Sequence, residues 1–250
     1  MSPSNLESRF QTLHEIVRAA RMNLAPGPWD YLAGGAETET TLRRNRQALD
    51  SLAFRPRVLR NVSKIDSTSS LFGRAVRIPV MIAPVGSVES FEPGGGATAA
   101  KASAEFSVPQ MLSSVCNPGL EAVAAAADNF RIFQLYVRGD DAWVDEHVKR
   151  AKDNGYAAFC LTVDTASYSR RERDLARRFV KPWRLRATGF DFQAGLVRVF
   201  ELLEEEIRIC LALLGVDRLA AVNPSYLHAA TPVRPAHVTS AFPLLEEEGY

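Results

Sequence analysis

Short apolar runs without alternation recur along the chain between residues 79 and 163. The runs are 80–83, 110–113, 132–136 and 157–163. The run at 80–83 has the composition of a strand that is buried on both faces, 110–113 and 132–136 are predicted to be strands, and 157–163 is predicted to be a fourth buried strand. The stretches between them have helical apolar spacing, over 97–106, 120–127 and 142–154. This alternation, at roughly 25-residue spacing, predicts an α/β fold with four parallel strands.

The segments on either side of this region follow a different pattern. Before it, we predict helices over 5–22 (N-cap Asn5) and 38–49, a chain break at 26–28, a short segment over 29–36, and short strands at 54–59 and 67–71. After it, we predict a charged helix over 170–179, an irregular stretch over 180–189, a long amphipathic helix over 192–214, and a proline-containing tail over 223–250 that wraps the surface. A closed parallel barrel needs about eight strands. A sheet of four strands has two open edges unless another chain covers them.

Charge and cysteine content narrow the class of protein. The formal net charge is +1, so neither nucleic acid nor an anionic membrane is indicated as a partner. The basic run at 170–178 contains Glu172 and Asp174, which favours a solvated helix face. No apolar run reaches the roughly 18 residues needed to span a bilayer. Three separated cysteines in apolar runs indicate free thiols in a reducing compartment, so we expect a soluble, cytoplasmic protein.

Several short motifs occur in a fixed order over about 150 residues. They are Trp29-Asp30-Tyr31-Leu32-Ala33-Gly34-Gly35-Ala36-Glu37, Asn45-Arg46-Gln47-Ala48-Leu49, Phe54-Arg55-Pro56-Arg57-Val58-Leu59, Pro79-Val80-Met81-Ile82-Ala83-Pro84, Leu112-Ser113-Ser114, Phe133-Gln134-Leu135-Tyr136, Leu161-Thr162-Val163-Asp164-Thr165 and Arg170-Arg171-Glu172. In this order they resemble the FMN-dependent 2-hydroxy-acid dehydrogenase and oxidase family, which includes glycolate oxidase-like and L-lactate dehydrogenase-like enzymes.

The resemblance implies one domain over residues 1–250 with a TIM (β/α)8-barrel fold. The barrel is incomplete, with about four βα units and the last helix: an N-terminal part over 1–78, the first half of the barrel over 79–180, and the last helix with the tail over 190–250. Strands five to eight would lie near residues 195–197, and neither the family's Ser-Asn-His-Gly-Gly-Arg-Gln motif nor its Gly-Gly-x-Arg-x-Gly phosphate motif occurs. The sequence therefore indicates an internal deletion or a faulty gene model.

The resemblance also implies roles for individual residues. Tyr31 and Arg171 would bind the substrate carboxylate, which suits the two parallel hydrogen bonds that a guanidinium donates. Tyr136 would contact the substrate hydroxyl, and Asp164 would pair with the catalytic histidine. None of the four histidines (His14, His147, His228 and His237) stands in a matching motif, so the base is absent. Without the resemblance, these residues would be interpreted as core, cap or solvated side chains.

The flavin is predicted to lie at the carboxyl ends of the strands, where parallel barrels place their sites. By resemblance, its ring would contact Ala83, Pro84, Val85, Gly86, Ser113, Gln134 and Thr162. The triplet at 94–96 lacks the spacing and the lysine of a phosphate loop, so a flexible loop is the simpler interpretation. No metal-ligand cluster is indicated.

The activity implied is oxidation of (S)-2-hydroxy acids, such as lactate or glycolate, to 2-oxo acids with FMN as cofactor. The family further implies a homo-oligomer. An inactive remnant that lacks the base and the phosphate site is the main alternative. A barrel lyase or isomerase unrelated to flavin is a third interpretation, which requires that the motif matches be accidental.

Overall fold

The computed structural model of the protein describes residues 9–164, 171–176 and 192–229, and these divide into two compact units. Unit 1 contains the described residues 70–164 and 192–200, and unit 2 contains 9–69, 171–176 and 201–229. The helices are α1 (Leu13–Asn23), α2 (Pro26–Ala33), α3 (Thr40–Asp50), α4 (Gly95–Phe106), α5 (Leu120–Ala126), α6 (Asp141–Asp153), α7 (Glu172–Ala176) and α8 (Phe192–Leu214). The strands are β1 (Leu52–Phe54), β2 (Ser69–Leu71), β3 (Arg74–Val76), β4 (Gln110–Ser113), β5 (Arg131–Leu135), β6 (Ala158–Leu161) and β7 (Leu227–Ala229).

A parallel sheet with the order β4-β5-β6 forms the centre of unit 1. The predicted first strand contributes a single parallel bridge, between Ile82 and Gln110. Its two hydrogen bonds are Ile82 N to the Pro109 carbonyl at 2.9 Å and Met111 N to the Ile82 carbonyl at 2.9 Å. Four parallel segments are therefore present, as the apolar runs predict.

The helices of unit 1 cover one face of this sheet. Phe133 and Leu135 of β5 are buried among residues of α4, α5 and α6 in one apolar cluster. Tyr156 closes the cluster, with its ring edge-on to Phe133 at 5.6 Å and its hydroxyl donating to the Leu120 carbonyl at 2.8 Å. Burial raises the pKa of the Tyr156 hydroxyl well above its ordinary value, so this hydrogen bond keeps its proton.

The prediction that 157–163 is a strand buried on both faces is wrong. β6 is shorter and, within the described residues, pairs with β5 alone. Phe159 is 38% exposed and Leu161 is 48% exposed, whereas their register partners Phe133 and Leu135 are 2% and 0% exposed. An apolar run therefore identifies the strand but does not decide whether a neighbour covers it.

The glycines at 94–96 form the start of α4, so the prediction of a flexible loop is wrong. Gly95 has φ +50°, and a Cβ there would lie 1.9 Å from the Asn117 carbonyl oxygen. Gly96 is buried, and a Cβ there would lie 2.7 Å from Leu112. These glycines allow the start of the helix to approach the loop after β4.

In unit 2, the helix predicted over 5–22 is interrupted at residues 10–12, and α1 begins at Leu13. Thr12 and Glu15 form a reciprocal capping box at the start of α1. Asn5 lies outside the described residues. Pro26, expected to break the chain, begins α2, because proline fits the first helical position.

Two further features of unit 2 were not predicted. β1 pairs antiparallel with β7, which lies in the part of the chain predicted to be an irregular tail. The carboxyl-terminal part of α8 contributes Leu211 and Leu214 to an apolar cluster with Val216 and Tyr226. The bounds of α8 match the prediction, whereas residues 180–189, 177–179 and 230–250 lie outside the described residues.

Candidate functional site

Polar side chains collect at the carboxyl ends of the parallel strands in unit 1. Ser113 ends β4 and is in register with Gln134 of β5, and Thr162 directly follows β6. The Gln134 carbonyl accepts from Ser114 N at 2.8 Å, and Thr162 N donates to the Leu135 carbonyl at 3.0 Å. The backbone ladder therefore brings together three of the predicted flavin contacts, because the ends of parallel strands meet at one edge.

Gln134 is the residue of this group whose hydrogen bonding is incomplete. Its side chain is 3% exposed and donates from Nε2 to the Thr162 hydroxyl. Oε1 is buried and has no hydrogen-bond partner among the described residues. A hydroxyl can donate or accept, so rotating the amide exchanges the two roles and leaves the nitrogen unpaired instead. In both orientations, one amide atom of Gln134 remains to bind a ligand.

The segment after the Ile82 bridge reaches the same end of the sheet. Ala83 and Val85 are exposed, and Val85 N donates to the Ala83 carbonyl at 2.9 Å in a tight turn with Pro84. A Cβ on Gly86 would lie 2.8 Å from the Val115 side chain, so a glycine is needed for this close packing. The segment presents backbone rather than side-chain polar groups, as its sequence predicts.

Tyr136 and Asp164 follow the ends of β5 and β6. Tyr136 is half-buried, and its N–H donates to the Ser114 hydroxyl at 3.0 Å. Asp164 is exposed. His147 is the one histidine in the unit 1 sequence; it lies on α6, with its ring 3.9 Å from that of Trp143 and Nδ1 2.8 Å from the Trp143 carbonyl. It is held within the helix layer, so unit 1 brings no histidine of its own to the strand ends.

Tyr31 and Arg171 are brought together in unit 2. The Arg171 guanidinium lies 4.6 Å from the centre of the Tyr31 ring. Its Nη2 donates to the Tyr31 carbonyl and, at 2.8 Å, to the Gly34 carbonyl. These carbonyls end α2, where a cation is favourable. The two residues predicted to bind a carboxylate are thus neighbours, and the arginine also caps a helix.

Glu39 and Arg173, which the sequence analysis did not single out, fix the surroundings of this pair. Arg173 donates twice to the Glu39 carboxylate, at 2.6 and 2.7 Å, and Gly35 N donates to it at 3.1 Å. Burial acts to raise the pKa of Glu39, but these hydrogen bonds and the charges of Arg173 and Arg43 outweigh it, so the pKa is lowered. Glu39 follows the motif at 29–37 and Arg173 follows the motif at 170–172, so their opposite charges were the feature of the sequence that could have predicted this ion pair.

The described residues show neither a metal cluster nor a membrane-spanning helix. Within residues 9–164, 171–176 and 192–229, no group of three or more His, Cys, Asp or Glu side chains could hold a metal ion. No helix in the described part of the chain is both long enough and apolar enough to cross a membrane.

Comparison with known proteins gives one consistent family. The profile described as FMN-dependent dehydrogenase matches residues 20–192. Glycolate oxidase 1 of Zea mays is 40% identical over 177 residues, which are 71% of this chain and 48% of the relative. Glycolate oxidase of Spinacia oleracea is 37% identical over 179 residues, which are 72% and 48% of the two chains. The chain thus spans about half the length of the curated relatives that it matches.

The fold has close counterparts among solved structures. Mandelate oxidase with (S)-2-phenylpropionate superposes with a TM-score of 0.80 at 23% identity, covering 90% of this chain and 100% of that chain. A second mandelate oxidase structure superposes with a TM-score of 0.79 at 22% identity and with the same coverage. This likeness supports the predicted fold class, an incomplete (β/α) barrel. By the profile match over most of its length, the chain belongs to the FMN-dependent dehydrogenase family.

Proposed function

We propose that this chain binds FMN at the carboxyl ends of its parallel strands and descends from enzymes that oxidise (S)-2-hydroxy acids to 2-oxo acids. The observation that carries the proposal is the buried amide of Gln134, with one polar atom left unpaired between Ser113 and Thr162. A buried polar atom without a partner costs about 1–3 kcal/mol, so it is expected where a ligand completes the hydrogen bonding.

The residues at the strand ends fit the polar edge of a flavin ring. That edge carries both donors and acceptors, so it can pair with the free amide atom of Gln134 in either orientation. Ser113, Thr162 and the exposed backbone of 83–86 would surround the ring. When bound, FMN accepts the two electrons removed from the hydroxy acid.

The substrate would be oriented by the aromatic and cationic residues. Arg171 would grip the carboxylate with its planar fork of donors, and Tyr31 would donate from its hydroxyl. Tyr136 would hydrogen-bond the substrate hydroxyl. Glycolate and mandelate, the substrates in the names of the similar proteins, are both 2-hydroxy acids, so small 2-hydroxy acids are the class to test.

A second candidate function is flavin binding without efficient turnover. It is favoured by the position of His147, the one histidine of unit 1, within the helix layer. Loss of a general base costs about 10²–10⁴-fold in rate. Asp164 would then remain without the partner that the family provides.

We further propose that strands five to eight are absent through an internal deletion near residues 195–197, within a single domain over 1–250. Support comes from α8, whose Phe200 stacks on Phe106 of α4 at 5.4 Å within unit 1. It also comes from the sequence matches, which span about half the length of the glycolate oxidases. Sequencing the transcript would distinguish a real deletion from a faulty gene model.

Flavin binding is tested first, with two matched variants. We expect FMN fluorescence to be quenched on titration with the chain, and Gln134→Leu to abolish the quenching. Gln110→Leu replaces a glutamine that is equally buried at the opposite end of the sheet, so it should leave flavin binding unchanged. Equal affinity in both variants would contradict the proposed position of the flavin.

Turnover is tested by mixing the flavin-loaded protein anaerobically with glycolate, lactate or mandelate. Bleaching of the visible flavin band would indicate oxidation, and absence of bleaching would favour the second function. Added imidazole separates the two further, because an external base restores a rate that is limited by a missing histidine. A flavin band that stays unbleached with imidazole present would exclude loss of the base as the sole defect.

We also propose that the chain is located in the cytoplasm and does not bind nucleic acid. The three cysteines are free, which suits a reducing compartment such as the cytoplasm. Fractionation of cells that produce the chain would test this location.

A further inference from the structure

The outer edge of β6 carries unpaired backbone groups. Alternate residues of a parallel strand direct their N–H and C=O groups to the same neighbour. Thr162 N donates to the Leu135 carbonyl at 3.0 Å, so by alternation Cys160 also faces β5. Phe159 and Leu161 therefore direct their backbone groups to the open side, where no strand lies among the described residues. This side is a template for another strand.

The side chains along this edge are also uncovered. Phe159 and Leu161 lie in the same rows as Phe133 and Leu135, which α4, α5 and α6 bury. The helices thus cover the side chains of β5 in these rows, whereas Phe159 and Leu161 of β6 remain 38% and 48% exposed. Exposed apolar side chains beside an open strand edge favour pairing with another strand.

The opposite edge of the sheet is complementary in direction. Ile82 uses both its N–H and its carbonyl toward β4, so Met81 and Ala83 direct their backbone N–H groups away from the sheet. The Ile82 bridge is parallel, as are the β4-β5 and β5-β6 pairs. The segment 80–84 therefore runs in the same direction as β6.

We propose that two copies of this chain associate edge to edge, with β6 of each pairing in parallel with segment 80–84 of the other. Four parallel segments from each copy give eight, the number that closes a small parallel barrel. A two-fold axis makes both junctions identical and removes both open edges. Antiparallel pairing of β6 with β6 would leave both 80–84 edges open, so it satisfies fewer backbone groups.

The association does not depend on flavin, so it can be tested on the full chain alone. Sedimentation velocity over a range of concentrations should give a species of twice the 27.5 kDa of one chain. Deuterium exchange in the peptide that covers 157–163 should slow as the concentration rises, because the outward N–H groups become paired.

Variants at the edge decide whether β6 makes the contact. Leu161→Pro removes an outward N–H while keeping the hydrogen bonds to β5, and Phe159→Lys places a charge on the edge. Each should raise the dimer dissociation constant about tenfold or more. Val148→Lys is the control, since Val148 of α6 is 39% exposed in the same unit, and it should leave the constant unchanged. Circular dichroism checks that each variant is folded, and Phe159→Lys decides the question if the proline variant unfolds.

Three results would overturn the proposal. The first is a wild-type chain that stays monomeric at every concentration. The second is a dimer that persists in Phe159→Lys with unchanged exchange over 157–163. The third is open-ended polymers, which would mean that the two junctions do not close.

Discussion

The two ends of the parallel sheet in unit 1 use similar polar residues in different ways. At the amino end, Gln110 donates to the Gly96 carbonyl at 3.0 Å and accepts from Asn129 at 3.2 Å, so both of its amide atoms are paired. At the carboxyl end, Gln134 is equally buried but pairs one amide atom. Because an unpaired buried atom costs stability, the amino end stabilises the sheet and the carboxyl end retains binding capacity.

The largest loss of folding stability is expected from Arg131→Met at the start of β5. Nη1 of Arg131 donates to the Ala127 carbonyl at 2.7 Å, and to the Ala124 carbonyl and Asn129 Oδ1 at 3.2 Å. Losing these charge-assisted bonds should lower the free energy of unfolding by about 2–3 kcal/mol, measured by urea denaturation. A loss below about 0.5 kcal/mol would show that the amino end is not the stabilising end.

Gln110→Leu is expected to have the next largest effect. It removes the hydrogen bonds that Gln110 makes with the Gly96 carbonyl and the Asn129 amide, at a cost of about 2 kcal/mol. The same denaturation experiment measures it, with Asn129→Leu as a second variant of the network. If the network acts as a unit, the losses of the two single variants should add to more than the loss of the double variant.

Gln134→Leu is expected to leave stability unchanged or to raise it by up to about 1 kcal/mol, because it removes an unpaired buried atom. This is the same substitution that should abolish flavin binding. A stability loss as large as that of Gln110→Leu would mean that the two ends do not differ, and the comparison would fail.

The smallest effect is expected for an exposed pair in the helix layer. Arg150 Nε lies 2.6 Å from Glu121 Oε1, and both side chains are more than a third exposed. The hydrogen bond from Arg150 lowers the pKa of Glu121 below its ordinary value. The pair therefore stabilises the fold at a pH above the pKa that Glu121 has in the unfolded chain. This stabilisation is lost as the pH falls through the lower pKa that Glu121 has in the folded chain. Glu121→Gln should cost at most about 0.5 kcal/mol at pH 7 and nothing at low pH.

Most of the elements in unit 1 were predictable from the sequence because local patterns determine them. The bounds of α8 match, and β4, β5 and α6 lie within one residue or so of their predicted ranges. The motif order identified the family, which the profile match confirms. The roles of Tyr31, Arg171, Tyr136 and Asp164 remain predictions, although the structure places the first two in contact.

The sequence by itself determined the alternation of strands and helices, the family, and which residue types stand at the strand ends, because periodicity and motif spacing are local properties. Only the tertiary structure decided that Phe159 and Leu161 are exposed, that β1 pairs with β7, and that Gln110 is satisfied while Gln134 is not. Burial and hydrogen-bond pairing depend on neighbours that are distant in sequence, so two glutamines on adjacent strands have the same local signal and opposite roles.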